Sequence, residues 1–121
     1  MLTVDDFDAA LAFYRDALGL EQLEDWSGEN GRVVLLGAGR GTLELFDERQ
    51  AESVDGIEVG GRVAGPVRLA FHVDDSAARA ERLAAAGGEV IAGPVETPWR
   101  DVNVRLSAPD GTQLTLFTPL D

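Results

Sequence analysis

The chain has no cysteine, no lysine, a single histidine and no long apolar run. Without cysteine there is no disulfide framework, no thiolate nucleophile and no Cys-based metal site. With His72 as the only imidazole, multi-His motifs such as H-E-x-x-H are excluded. No apolar stretch approaches the ~18–20 residues that a membrane span needs. The opening MLTVDDFDAA has neither a basic start nor an apolar core, so no Sec signal is expected and the expected compartment is the cytoplasm. All of the 10 basic residues are arginine, against 22 acidic ones, for a net charge of −12. So acidic a chain repels a phosphate backbone and an anionic membrane surface, which removes nucleic acid and membrane as expected partners. Its field would attract a cationic small molecule, and it also serves solubility. Lysine-free, alanine- and arginine-rich usage fits a GC-rich bacterial genome. With 121 residues, 45% hydrophobic and 26% charged, the chain has the size and composition of one globular domain with a core.

What is present is a repeat. Val4-Asp5-Asp6 precedes FDAALAFYRDALGL, and Val73-Asp74-Asp75 precedes SAARAERLAAAGGEV, 69 residues later. Gly19 then falls on Gly88. Thr42-Leu43-Glu44-Leu45-Phe46 matches Gln113-Leu114-Thr115-Leu116-Phe117 at an offset of 71, so the copies differ by two residues of loop. Two copies of about sixty residues are too long and too few for a solenoid.

Each copy reads β-α-β-β-β. Val67 to Val73 alternates, with Leu69, Phe71 and Val73 on one side and Arg68, Ala70 and His72 on the other, which is the signature of a half-buried strand. Asp75 stands where an N-cap belongs, Ser76 to Ala86 is strongly helix-forming, and Gly87-Gly88 stops the helix. A short strand is expected over Glu89 to Ala92, ended by Gly93-Pro94. Val102, Val104 and Leu106 mark the next strand, Pro109-Asp110-Gly111 a turn, and Gln113 to Thr118 the last strand. In the first copy, Leu2 to Val4 is a truncated strand. Asp5 or Asp6 caps a helix to about Leu18, with Phe7, Leu11, Tyr14 and Leu18 along its buried stripe. Strands follow near residues 22–26, 32–36 and 42–46. Gly37-Ala38-Gly39-Arg40-Gly41 resembles a phosphate loop in composition only and reads as a hairpin turn. Module one thus covers about 1–47 and module two about 65–121. Residues 48–64, acidic and glycine-rich with weak periodicity, are expected to be a linker, mobile in part.

A helix with an apolar stripe covers one sheet face. That face takes Leu69, Phe71 and Val73, Val104 and Leu106, Leu114 and Leu116. The other face then carries Arg68, Ala70, His72, Asn103, Arg105, Gln113, Thr115 and Phe117, with Thr42, Glu44 and Phe46 in the first module. Such a mixed polar and aromatic face suits a ligand cleft with a few convergent polar groups, and equally an open face in solvent.

The segments VDDFDAALAFYRDALGL, GTLELFD, VRLAFHVDD, AAAGGEVIAGPVETPWRDVNVRL and SAPDGTQLTLF resemble the vicinal oxygen chelate superfamily, which includes glyoxalase I, extradiol dioxygenases and bleomycin-resistance proteins. The resemblance implies an α+β fold: two tandem β-α-β-β-β modules whose strands form a curled mixed sheet around a cavity, helices outside. It commonly implies a homodimer. Its metal-dependent members hold a divalent ion with ligands on the first and last strands of each module. Here the last strands offer Glu44, which matches, and Thr115, which departs. The first-strand position of module two, ahead of Leu69-Ala70-Phe71, is Arg68, and an offset of 69 puts its partner before Met1. One carboxylate does not hold a catalytic divalent ion, and a guanidinium opposes one. The expectation is therefore no metal and no cofactor. His72 lies about 13 Å along the strand from Arg68, at ~3.3 Å per residue, so one ion cannot use both positions. Paired ligand positions would let Glu44 and Arg68 approach one another.

The candidate ligand-binding residues are Trp26, Glu44, Phe46, Arg68, His72, Trp99, Arg105 and Thr115. Trp26 and Trp99 read as loop-edge residues suited to stacking on a planar or cationic ligand, or to capping a core or a dimer contact. The leading expectation is a metal-independent protein that binds or sequesters a small molecule, an antibiotic or natural product. The alternatives are an enzyme of the same superfamily, either with a metal ligand supplied from elsewhere or cofactor-free with His72 as base, and a structural subunit with a filled cavity.

Overall fold

The computed structural model describes residues 1–120. Two aspartates start the outer helices in the same way. Asp6 accepts the amide of Ala9 at 3.0 Å and Asp75 that of Ala78 at 3.1 Å, so each caps a helix N-terminus. Helix α1 covers Phe7–Leu11 and continues as a π-helical segment over Ala12–Ala17; α3 covers Ser76–Ala85. The remaining elements are β1 (Leu2–Thr3), β2 (Gln22–Asp25), β3 (Val33–Ala38), β4 (Gly41–Phe46), α2 (Glu48–Val59), β5 (Arg68–His72), β6 (Glu89–Glu96), β7 (Asp101–Ser107) and β8 (Gln113–Pro119).

The strands make two four-stranded mixed sheets with one topology, β1-β4-β3-β2 and β5-β8-β7-β6. In each, the first strand runs parallel to the last and the other pairs are antiparallel. The repeat reaches single bonds. Val4 N donates to Phe46 O at 2.9 Å, and Val73 N to Phe117 O at 3.0 Å, at the offsets of 69 and 71 found in the sequence. The class is α+β, as expected, and among the described residues neither sheet closes into a barrel. The described residues divide into two compact units, 1–54 and 55–120.

In the first unit, Phe7 and Leu11 of α1 pack on Val34, Leu36 and Leu45, with Leu2, Val4 and Tyr14 at the margin. The expected stripe fails at Leu18, which is exposed. The π-helical turn, closed by Leu18 N donating to Phe13 O at 2.9 Å, inserts an extra residue and rotates the following positions out of register. The opposite face of the sheet carries Val33 and Phe46, which pack with Ala51 and Val54.

In the second unit, Ala80 and Leu83 of α3 pack on Val104, Leu106 and Leu116. The copies of Phe7, Leu11 and Tyr14 are here Ser76, Ala80 and Leu83. With smaller side chains, α3 packs chiefly on β6, β7 and β8. Leu69 and Phe71, expected to be covered, are therefore 44% and 48% exposed on an edge strand.

Two further expectations are corrected. Residues 48–59, within the expected linker, form a helix. Its inward positions are Ala51, Val54, Asp55 and Glu58, all buried. Their spacing is that of one helical stripe, but two of the four are carboxylates, so no apolar period shows in the sequence. Strand β6 also does not stop at Gly93-Pro94; it bulges there and continues to Glu96. Gly93 has φ +121°, and a Cβ on it would lie 2.8 Å from the carbonyl oxygen of Asn103, so only glycine fits.

Candidate functional site

The register of β5, β8 and β7 arranges the inner face of the second sheet in three rows. Arg68, Gln113 and Ser107 form one, Ala70, Thr115 and Arg105 the next, and His72, Phe117 and Asn103 the third. Alternation sends their neighbours Val104, Leu106 and Leu116 to the core beneath α3. This is the face that strand parity assigns to them.

The β5–β8 side of this face is open. His72 is exposed and its ring stacks on Phe117, with centroids 5.3 Å apart and an interplanar angle of 17°. Ala70 beside it is also exposed. Below them the guanidinium of Arg68 is buried and donates from Nη1 to the hydroxyl of Thr115, itself buried.

The β7 side is closed. The side chain of Arg105 is 0% exposed. Its Nη1 meets Asp55 Oδ1 at 2.9 Å and Gln113 Oε1 at 3.1 Å; its Nη2 meets Glu58 Oε1 at 3.0 Å. Glu58 also accepts from Asn103 Nδ2 at 3.2 Å. Asp55 Oδ2 accepts the amides of Val63 and Ala64, each at 2.9 Å, and Nη1 of Arg62 at 3.1 Å. Arg62 donates as well to the carbonyl of Ala64. Burial works to raise the pKa of Asp55, but the amides of Ala64 and Val63, together with Arg105, outweigh it and hold the carboxyl below its ordinary range. Two buried polar atoms of the cluster's own residues, Arg105 Nε and Asn103 Oδ1, make no hydrogen bond within the protein.

Of the residues singled out from the sequence, the second unit therefore brings Arg68, His72, Arg105 and Thr115 to one face. Trp99 stands apart, 46% exposed at the tip of the β6–β7 hairpin. That tip is tightly built. Thr97 is buried and bonds the backbone of Asp101 in both directions, and Arg100 holds φ +69°. In the first unit, Glu44 is half-buried on β4, opposite Leu35 of β3; Phe46 is buried against Val33, Ala51 and Val54; and Trp26 is 54% exposed just past β2. Phe46 is thus a core residue of that unit. Reasoning from the sequence missed Asp55 and Glu58 altogether. The i, i+3, i+4, i+7 spacing of residues 51, 54, 55 and 58 was the available signal.

A metal does not fit the second unit. The two positions where the resemblance puts ligands, 68 and 115, hold a guanidinium and a hydroxyl bonded to each other. Among the described residues, no group of three or more His, Asp or Glu could hold an ion.

The model of the Glyoxalase/Bleomycin resistance protein/Dioxygenase superfamily matches residues 1–116. The chain belongs to that superfamily. The CFP32 proteins of Mycobacterium bovis and Mycobacterium tuberculosis are 33% identical over 127 residues, covering 98% of this chain and 42% of their own length. The chain thus spans less than half of these curated relatives. A superfamily member from Vibrio splendidus has a similar structure, with a TM-score of 0.70, 16% identity, and coverage of 97% of this chain and 93% of its own. The methylmalonyl-CoA epimerase of Mycobacterium tuberculosis follows with a TM-score of 0.63, 20% identity, and coverage of 98% and 83%. At these identities the likeness is one of fold alone. No helix among the described residues is long and apolar enough to cross a membrane.

Proposed function

We propose that this superfamily member binds a small molecule without a metal ion, on the open side of the second sheet's inner face. The observation that carries the proposal is the Arg68–Thr115 hydrogen bond. The fixed positive charge at one ligand position repels a divalent cation and the hydroxyl at the other is a weak ligand, yet the two orient a polar guest. His72 and Phe117 add an aromatic pair beside them, and Ala70 leaves room above the strand. The acidic surface would draw in a cationic or basic compound such as a planar natural product, the occupant we favour. Trp26, Trp99 and Glu44 remain candidate contacts. The same proposal takes the chain as cytoplasmic and as a homodimer, whose mass light scattering on the purified protein measures.

The test is a fluorescence titration through Trp26 and Trp99 against a panel of planar cationic antibiotics, run alongside elemental analysis. Saturable quenching by at least one compound, with no stoichiometric metal, supports the proposal. One bound Zn, Ni, Mn or Fe per chain would overturn it.

A second reading is favoured by His72. Its exposed imidazole stacks on Phe117 and stands free to take a proton from a bound substrate, as a cofactor-free lyase or epimerase requires. A His72→Gln variant that keeps ligand affinity but loses turnover would establish this reading; equal behaviour of the two proteins would remove it.

A further inference from the structure

The segment from Asp55 to Ala64 lies over the β7 side of the inner face, and its attachment is polar. Asp55 and Glu58 reach Arg105, Glu58 reaches Asn103, and Gln113 Nε2 donates to the carbonyl of Val63 at 3.3 Å. The segment's own apolar residues take no part in the cores: Ile57 and Val63 are exposed, and Val59 is only half-buried and outside every hydrophobic cluster. The sheet beneath is held differently, by Val104, Leu106 and Leu116 packed under α3.

This contrast separates two parts of one unit. Apolar burial is cumulative and non-directional, so the β7–β8–α3 core is lost only when the unit unfolds. An ion cluster is different. Its charges are solvated again as soon as the segment lifts, so its release needs no disruption of the core. In the closed arrangement Arg105 Nε and Asn103 Oδ1 are buried and make no hydrogen bond within the protein. Water admitted by opening would serve both atoms.

We propose that residues 55–64 form an ionically latched cover over the second sheet, which opens as a unit and uncovers Arg105, Asn103 and Gln113 while the sheet stays folded. The groups facing the latch are Asp55 and Glu58 from α2, Arg62 from the segment after it, Arg105 and Asn103 from β7, and Gln113 from β8. What enters beneath the cover rests on the binding role proposed above, since opening would extend the site from the His72–Phe117 side across to β7. The latch itself does not rest on it.

Native-state hydrogen exchange on the full chain, without any ligand, is the test. The amides of Val63 and Ala64, which bond to Asp55, are expected to exchange at least about tenfold faster than the ladder amides of β7 and β8, and to be insensitive to low denaturant. Glu58→Gln weakens the closed cover and should speed the Val63 and Ala64 amides about tenfold further, with exchange still insensitive to low denaturant. Equal rates in cover and sheet, with the same denaturant dependence, would overturn the proposal, as would exchange of the Val63 and Ala64 amides in Glu58→Gln that follows denaturant as the sheet amides do. If that variant does not fold, the denaturant dependence of the wild-type chain decides alone. A flat fluorescence titration would remove the binding role and leave this exchange result standing.

Discussion

Replacing Arg105 by methionine removes the one group that joins both buried carboxylates to the sheet. The side chains of Asp55 and Glu58 are 2% and 3% exposed, so neither can recover its hydration in place. Breaking a buried ion pair from one side costs about 3–5 kcal/mol, because the surviving charge is left uncompensated. Here the lower end applies. Asp55 keeps Arg62 and two backbone amides, while Glu58 keeps only the amide of Asn103. A loss of about 3 kcal/mol is expected, or about 10–15 °C in Tm for a chain of this size. The decisive comparison is the triple variant Arg105→Met, Asp55→Asn, Glu58→Gln. With no charge left to bury, it should recover to within about 1–2 kcal/mol of wild type. Urea unfolding followed by far-UV circular dichroism, with the slope checked for constancy, measures all three proteins. If Arg105→Met alone costs under about 1 kcal/mol, the cluster is open to water and the reasoning fails. If the triple variant is as unstable as the single one, the loss is one of packing and not of charge.

Other outcomes follow from the same structure. Leu116→Ala empties a fully buried site under α3 and should cost about 2–5 kcal/mol by urea unfolding. Asp75→Ala removes the cap that accepts the amide of Ala78 and should cost about 1 kcal/mol, read as a shift in the urea midpoint. The pKa of Asp55 is lower in the folded chain than in the unfolded one. Its contribution is therefore complete above the unfolded value of about 4 and falls away as pH drops through the folded one, because the unfolded state binds the extra proton. Stability measured from neutral pH downward should decline over that acid range, and Asp55→Asn should flatten the decline; an unchanged slope would show that Asp55 does not contribute to it.

The parts of the fold legible in the sequence are those specified by short-range chemistry. Asp6 and Asp75 announce helix starts because a carboxylate after an extended residue can reach the third amide on. Alternation in Val102 to Leu106 assigns Arg105 and Asn103 to the face opposite Val104, since side chains in a strand change sides at each residue. What alternation does not carry is what lies against that face. It identified Arg105 as a polar inner residue, and only the tertiary structure reveals that two carboxylates enclose it. The exposure of Leu69 and Phe71 was hidden for a related reason, because it depends on where α3 settles once Ser76 and Ala80 stand where Phe7 and Leu11 stand in the first copy.

Helix α2 was hidden by a choice that stability alone does not explain. Leucines at 55 and 58 would complete the stripe begun by Ala51 and Val54, and any periodicity reading would then find the helix. With an apolar residue at 105 as well, they would serve the fold as well or better, since a well-packed apolar set commonly matches or exceeds a buried ion cluster. What they would not supply is register. An apolar helix face slides over an apolar sheet at little penalty, whereas Asp55 and Glu58 reach the two ends of one guanidinium, at 2.9 and 3.0 Å, in a single arrangement. The carboxylates therefore trade local legibility for a unique placement of residues 55–58 on β7. That is the kind of site where local rules and the native structure disagree because something other than stability is being specified.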